Sequence, residues 1–292
     1  PKTPKPRIKE ILIAIIFIEN KMSMRYLSLT MAMVNNAIAD PELAIKENGA
    51  TKILHALDSS VTGARGWAKG SELTVPHGGR MYLGVKDRGD NESLDPHGWY
   101  IPSLVGGAIE YDVDLSTSGC NCNAALYLIS MPGYDPNQHE APSSGGDFYC
   151  DANNVGGVWC PEMDIMEANT YAWHTTPHHC DAPNGKHYSN CDRSGDGTAV
   201  YSLDKTAYGP GDEYKINTLK TFHVKQEFKE ENDKVTAIVT TFTQGDQSYS
   251  FTEKDSYVES MTGALKDGMT VAISNWGEPD IDMSWLDGDT GC

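Results

Sequence analysis

No stretch of this chain approaches the roughly 20 apolar residues that a bilayer-spanning helix needs. The longest apolar run, residues 11–18, has eight. Basic residues are scarce: 23 Lys and Arg stand against 41 Asp and Glu, a formal net charge of −18. So acidic a balance argues against nucleic acid or an anionic membrane surface as partner, because both would repel it. A neutral partner such as a polysaccharide stays compatible. There is no C-x-x-C pair, which removes the usual zinc spacing. There is no G-x-S-x-G and no glycine-rich phosphate loop. Internal repeats and low-complexity tracts are missing. The first 60 residues contain neither Cys nor Trp.

What is present points to one large domain: 292 residues with 39% apolar content, a size that all-β folds reach as a single unit. Seven cysteines, Cys120, Cys122, Cys150, Cys160, Cys180, Cys191 and Cys292, lie at irregular spacing. They read as disulfides of an oxidising compartment, with the odd one unpaired or intermolecular. Residues 24–39 carry the pattern of a secretory signal. Arg25 is followed by a mostly apolar stretch and then by Ala37-Ile38-Ala39, so a secreted chain would begin near Asp40. A disordered or helical extension is the alternative. Asn91-Glu92-Ser93 is a glycan acceptor in that setting.

Residues 41–57 read as a helix interrupted at Gly49. The expectation is therefore a partly helical N-terminal extension over 1–60 and a separate domain over 61–292. From Gly63 onward short alternating runs are broken by Gly, Pro, Asn and Asp. Residues 108–113 alternate, and Phe222, Val224, Gln226 and Phe228 alternate with His223, Lys225, Glu227 and Lys229. Residues 125–131, 235–243 and 269–276 are apolar or β-branched. This pattern predicts an all-β sandwich of two antiparallel sheets. After Gly63 only residues 258–266 look helical.

One segment concentrates carboxylates: C-P-E-M-D-I-M-E-A-N over residues 160–169. On a strand, Glu162 and Asp164 share one face while Met163 and Ile165 share the other. Glu167, five positions from Glu162, would fall on the opposite face of a regular strand. One extra residue near Ile165-Met166, a β-bulge, brings it back. Two carboxyl groups about 5–5.5 Å apart suit retaining glycoside hydrolysis, one as nucleophile and one as acid/base. A third nearby would help set their ionisation, since crowded carboxylates cannot all ionise equally. A solvated strand face in an acidic chain explains E-x-D-x-x-E equally well, so spacing alone leaves the two readings level.

Other clusters carry less. His174, His178, His179 and Cys180 lack a complementary pair at zinc spacing. Residues 192–197 begin like a calcium loop, but the twelfth position is Leu203 where a bidentate Glu is needed. No metal and no cofactor is expected.

The segment resembles the signature of family 7 glycoside hydrolases, cellulases built on a concanavalin-like β-jelly roll. Cys160, Glu162, Met163, Asp164, Ile165, Glu167, Ala168 and Asn169 match, with Met166 where the family has Trp, and Thr176-Pro177-His178-His179-Cys180 follows. Residues 111–115, 123–131, 149–151, 208–211, Asn275-Trp276 and 284–287 resemble further family motifs in order, from about Gly70 to Cys292. The resemblance implies retaining hydrolysis of β-1,4-glucan, with Glu162 as nucleophile, Glu167 as acid/base and Asp164 supporting Glu162. It places His178 beside the acid/base. It puts Asn123, Tyr127, Tyr149 and Asp151 along the cleft, and makes Trp276 and Trp285 sugar-stacking platforms. It pairs Cys120 with Cys292, Cys150 with Cys160 and Cys180 with Cys191, leaving Cys122 over. Residues 1 to about 65 look unrelated to the family, the chain stops before the family's last strand, and short loops suggest an open groove cut internally. The alternative is a weak or inactive glycan-binding module, assembled with other proteins through residues 1–60 or Cys122.

Overall fold

The structure, a computed structural model, describes residues 9–12, 16–19, 40–60, 62–88, 94–141, 147–254, 256–277 and 281–292. The signal pattern of 24–39 and the acceptor Asn91-Glu92-Ser93 lie outside them. In chain order the first strands are β1 (Lys9–Leu12), β2 (Ile16–Glu19), β3 (Glu42–Glu47), β4 (Ala50–Asp58), β5 (Trp67–Lys69), β6 (Glu72–Pro76) and β7 (Gly79–Gly84). Then come β8 (Gly107–Asp114), β9 (Asn123–Ile129), β10 (Glu162–Ala168), β11 (Trp173–His178), β12 (Thr198–Ala199), β13 (Tyr208–Gly209) and β14 (Ile216–Asn217). The last are β15 (Phe222–Glu231), β16 (Lys234–Gln244), β17 (Gln247–Glu253) and β18 (Thr270–Trp276). Among the described residues four short helices are α1 (Val200–Leu203), α2 (Ser256–Ser260), α3 (Thr262–Asp267) and α4 (Ser284–Asp287).

Sixteen of the strands form one hydrogen-bonded ribbon, whose main path runs β12-β11-β10-β9-β18-β7-β4-β3-β1-β8-β15-β16-β17. Its two arms fold onto each other as a jelly roll. Leu126, Leu128, Met163, Val271 and Ile273 of one arm share a single core with Ile109, Tyr111, Val224, Phe228 and Phe242 of the other. Pairing is antiparallel except where β1 and β2 run parallel to β8, where β2 pairs β6, and between β13 and β14. Trp173 is fully buried, its ring 4.7 Å from that of Phe242 and 6.2 Å from that of Phe222.

The helix expected over residues 41–57 is a β-hairpin, β3 with β4. The reason is local. Asn48 and Gly49 both have positive φ, 52° and 81°, the conformation a two-residue hairpin turn requires and which Asn-Gly supplies at low cost. Leu43, Ile45, Leu54 and Ala56 then point into the main core. β4 pairs β7 at the same time. The described part of residues 1–60 is thus built into the sheet, not a separate extension, and β3 and β4 are not a free arm for assembly. The short helices over 256–267 do fall where the sequence places them.

One buried polar network ties the two arms together. In β10 the register slips at Ile165, which has no ladder partner on either side. Its carbonyl accepts instead from Thr175 Oγ1 at 3.3 Å and from Gln226 Nε2 of the opposite arm. Gln226 Oε1 accepts from Tyr111 Oη at 3.1 Å, and Trp173 Nε1 donates to Thr175 Oγ1 at 3.2 Å. A buried carbonyl left without its donor costs roughly 1–3 kcal/mol. Gln226→Leu is therefore expected to lower stability by about that amount in urea unfolding. An unchanged midpoint would mean that Thr175 alone satisfies the bulge.

Candidate active site

The slip at Ile165 decides what β10 presents. Glu162 and Asp164 alternate onto the concave face, with Met163 in the core between them. Against β9, Asp164 lies opposite Tyr127 and Met166 opposite Leu126. Against β11, Asp164 lies opposite Thr176 and Glu167 opposite His174. Two consecutive apolar residues, Ile165 and Met166, are thereby buried in the main core. Glu167 emerges on the same face as Glu162 and Asp164, and all three line a cleft of about 880 Å³.

Neighbouring strands contribute their alternate residues to the same face. β11 turns His174, Thr176 and His178 to the cleft and buries Trp173 and Thr175. β18 offers Ser274 and Trp276, β9 Ala125 and Tyr127, and β7 Arg80. Part of the concave face is covered by a second small core, which includes Leu57, Tyr82, Trp99, Met131 and Tyr149. Trp276 and Trp285 are 37% and 45% exposed, their rings near-parallel at 26° and 6.5 Å apart. An exposed ring face suits a pyranose face. Trp285 stands on α4. Asp287 of that helix accepts from Asn169 Nδ2 at 2.7 Å and from the Asn121 amide at 2.9 Å, and the Cys120–Cys292 disulfide closes the same region.

Crowding and burial push the acids upward. Burial is the largest cause for each. Glu162 rises well above the usual carboxylate range, with Asp164 and Asp151 adding to it; the Ala152 amide, 3.0 Å away, and His178 act against the rise. Asp164 rises too, with Asp151 adding. Glu167 is pushed up to about 8 by burial and by Asp164, against the pull of the Asn123 amide and His178. Asn123 Nδ2 donates to Glu167 Oε1 at 2.7 Å.

Asp164 Oδ2 lies 3.0 Å from His178 Nε2. The other ring nitrogen, Nδ1, is 2.9 Å from the Asp192 carbonyl, which only accepts, so Nδ1 carries a hydrogen. The contact between Nε2 and Asp164 therefore holds one proton, and the pair has no net charge whichever partner carries it.

Of the other residues singled out in the sequence, Tyr127 and Tyr149 meet through their hydroxyls at 3.4 Å and line the cleft with Asp151. Asp151 accepts from the amides of Asn153 and Val155 at 3.0 Å each, which shapes the loop before β10. His178 is bonded to Asp164 and lies opposite Glu162 in the ladder, and its charge also acts on Glu167 across the cleft. The residue paired with Glu167 is His174. The disulfides are Cys120–Cys292, Cys150–Cys160 and Cys180–Cys191, with Cys122 outside them.

Arg80 is the chief residue that sequence reasoning missed. Its guanidinium lies 3.8 Å from the centre of the Tyr149 ring and lines the cleft. The alternation of β7, with Met81 and Leu83 inward, carries that signal, but only the pairing of β7 with β18 aims it at the site. Among the described residues, Arg80 Nε, Asn123 Oδ1 and His174 Nε2 are buried polar atoms of this region with no protein partner.

Fold and site define a β-jelly roll with an acidic, tryptophan-lined cleft, an arrangement suited to carbohydrate. Residues 152–256 match the model of glycosyl hydrolase family 7. Endoglucanase EG-1 of Hypocrea jecorina is 30% identical over an alignment that covers 87% of this chain and 60% of that relative. The chain thus spans about three fifths of that relative's length. Such an alignment must begin before Gly70, so the similarity reaches into the segment that looked unrelated. The native endocellulase EGI of Humicola insolens shares the fold at a TM-score of 0.67, with 22% identity, 89% of this chain and 91% of that one covered. A family 7 cellobiohydrolase from Daphnia pulex does so at 0.65, with 18% identity, 88% and 87% covered. The chain is thus similar to members of glycosyl hydrolase family 7, through the model match at residues 152–256 and a shared fold.

The raised carboxyls carry a stability signature. Glu167 folds with a pKa of about 8 against an ordinary 4.5. Between those values the folded chain holds a proton that the unfolded chain has released, so stability falls as pH rises through this window. Glu167→Gln removes that dependence. Its melting temperature should gain on wild type by several degrees between pH of about 4.5 and about 8. A pH-independent difference would show that Glu167 titrates normally.

Proposed function

We propose that this chain hydrolyses β-1,4-glucan with retention of anomeric configuration. The observation that carries the reading is the bulge that puts Glu162, Asp164 and Glu167 on one cleft face. Glu162 attacks the anomeric carbon and forms a glycosyl ester as the bond to the leaving sugar breaks. Glu167 gives its proton to the leaving oxygen. Its Oε1 is held by Asn123, which leaves Oε2 to carry that proton. Glu167 then takes a proton from water, whose oxygen attacks the same carbon and frees Glu162.

The two roles need opposite ionisation, and because burial raises both carboxyls, Glu162 must give up its proton before it attacks. A carboxyl titrating near 8 is protonated at neutral pH, as an acid must be. Glu162 must be ionised to attack. The Ala152 amide favours its charged form, and the neutral Asp164–His178 pair spares it a second adjacent charge. Trp276 and Trp285 serve as platforms for the glucan. The names of the curated relatives, endoglucanases, favour internal cleavage in an open groove. The disulfides and the signal pattern support an extracellular setting.

Release of reducing sugar from a soluble β-1,4-glucan tests the reading, with β-1,3 and mixed-linkage glucans as further arms. Glu162→Gln is expected to abolish turnover, and Glu167→Gln to lower it by about 10²–10⁴-fold. Wild-type turnover should decline as pH rises through about 8, where Glu167 loses its proton. The first product seen by proton NMR should be the β anomer. Wild type and Glu162→Gln equally inert while both bind glucan would make the chain a binding module instead.

A further inference from the structure

His174 has no part in the chemistry above, yet it is the ladder partner of Glu167 on β11. The two lie directly opposite each other in the β10–β11 pair, so their side chains share a face and stand side by side. On its other flank His174 pairs with Ala199 of β12. That neighbour offers only a methyl group, so the cleft stays open beside the imidazole, and both residues line it. The His174 ring meets Trp285 edge-on, 6.3 Å between centres at 86°.

The ring's hydrogen-bonding state follows from its partners. The Leu286 carbonyl takes a hydrogen bond from the ring, while Nε2 is buried without a protein partner. The hydrogen therefore sits on Nδ1, and Nε2 offers a lone pair. Burial supports the neutral form by lowering the ring's pKa to about 4. A buried acceptor without a donor is costly, and a sugar hydroxyl is a donor of suitable size.

We propose that His174 Nε2 accepts a hydrogen bond from a hydroxyl of the sugar on the leaving-group side of the cleaved bond. This rests on the hydrolase reading above. The leaving oxygen must reach Glu167, so the departing sugar lies among the neighbours of Glu167. On that side stand His174, opposite Glu167, and Trp285, whose ring meets that of His174; the indole offers a face for the sugar and His174 an acceptor for a hydroxyl at its rim. His174 thereby favours leaving groups that are themselves sugars.

The test compares two substrates in wild type, His174→Ala and His174→Gln. One is a β-1,4-linked glucose tetramer, whose leaving group bears hydroxyls. The other is an aryl β-glycoside of the dimer, whose leaving group bears none. His174→Ala should lose about five- to tenfold more kcat/KM on the tetramer than on the aryl glycoside, the size expected of one hydrogen bond. His174→Gln, which restores an acceptor oxygen, should recover part of that difference. A merely structural role for the ring would lower both substrates by the same factor, and equal losses would overturn the proposal. Wild type inert on both substrates would instead remove the hydrolase reading, and this inference with it. Melting curves of the variants establish that each is folded.

Discussion

One displaced carbonyl organises this molecule. The bulge in β10 takes Ile165 out of both ladders, and a buried peptide oxygen cannot be left without a donor. Gln226 reaches across from the opposite arm of the jelly roll to supply it, with Thr175 as the second donor. Tyr111 and Trp173 hold those two donors in turn. The packing of the sandwich and the irregularity that shapes the site are thus the same structure. Loosening one loosens the other, because the polar groups involved have no water to fall back on.

What the bulge achieves is a concentration of negative charge that the fold would otherwise avoid. Three carboxyls share one buried face, and burial raises all three, helped by Asp164 at Glu162 and Glu167 and by Asp151 at Glu162 and Asp164. The surrounding groups then differentiate them. An amide side chain holds Glu167, a backbone amide holds Glu162, and a histidine fixed by a carbonyl shares a proton with Asp164. Chemically similar residues on one strand thus acquire different hydrogen-bonding neighbours, although burial raises all three.

Much of this was legible in the chain. Period-2 alternation marks the strands of the later two thirds because each strand has one face in the core and one outside it. The spacing of Glu162, Asp164 and Glu167 implies a one-residue insertion, since only that reconciles the odd separation with a shared face. Residues 41–57 misled for a clear reason. Their apolar residues fit a helical stripe loosely, and the Asn48-Gly49 pair that dictates a hairpin turn reads on first inspection as a helix interruption.

By itself the sequence determined the strand pattern, the odd carboxylate spacing and the supply of cysteines. These depend on local geometry and on side-chain chemistry carried by each residue. Only the tertiary structure decided which strands adjoin. It brought Arg80 from β7 into the cleft wall, set His174 opposite Glu167 and His178 against Asp164, and matched Gln226 to the bulge. Such pairings join residues far apart in the chain, and register between strands is set by the burial of whole faces rather than by any local signal.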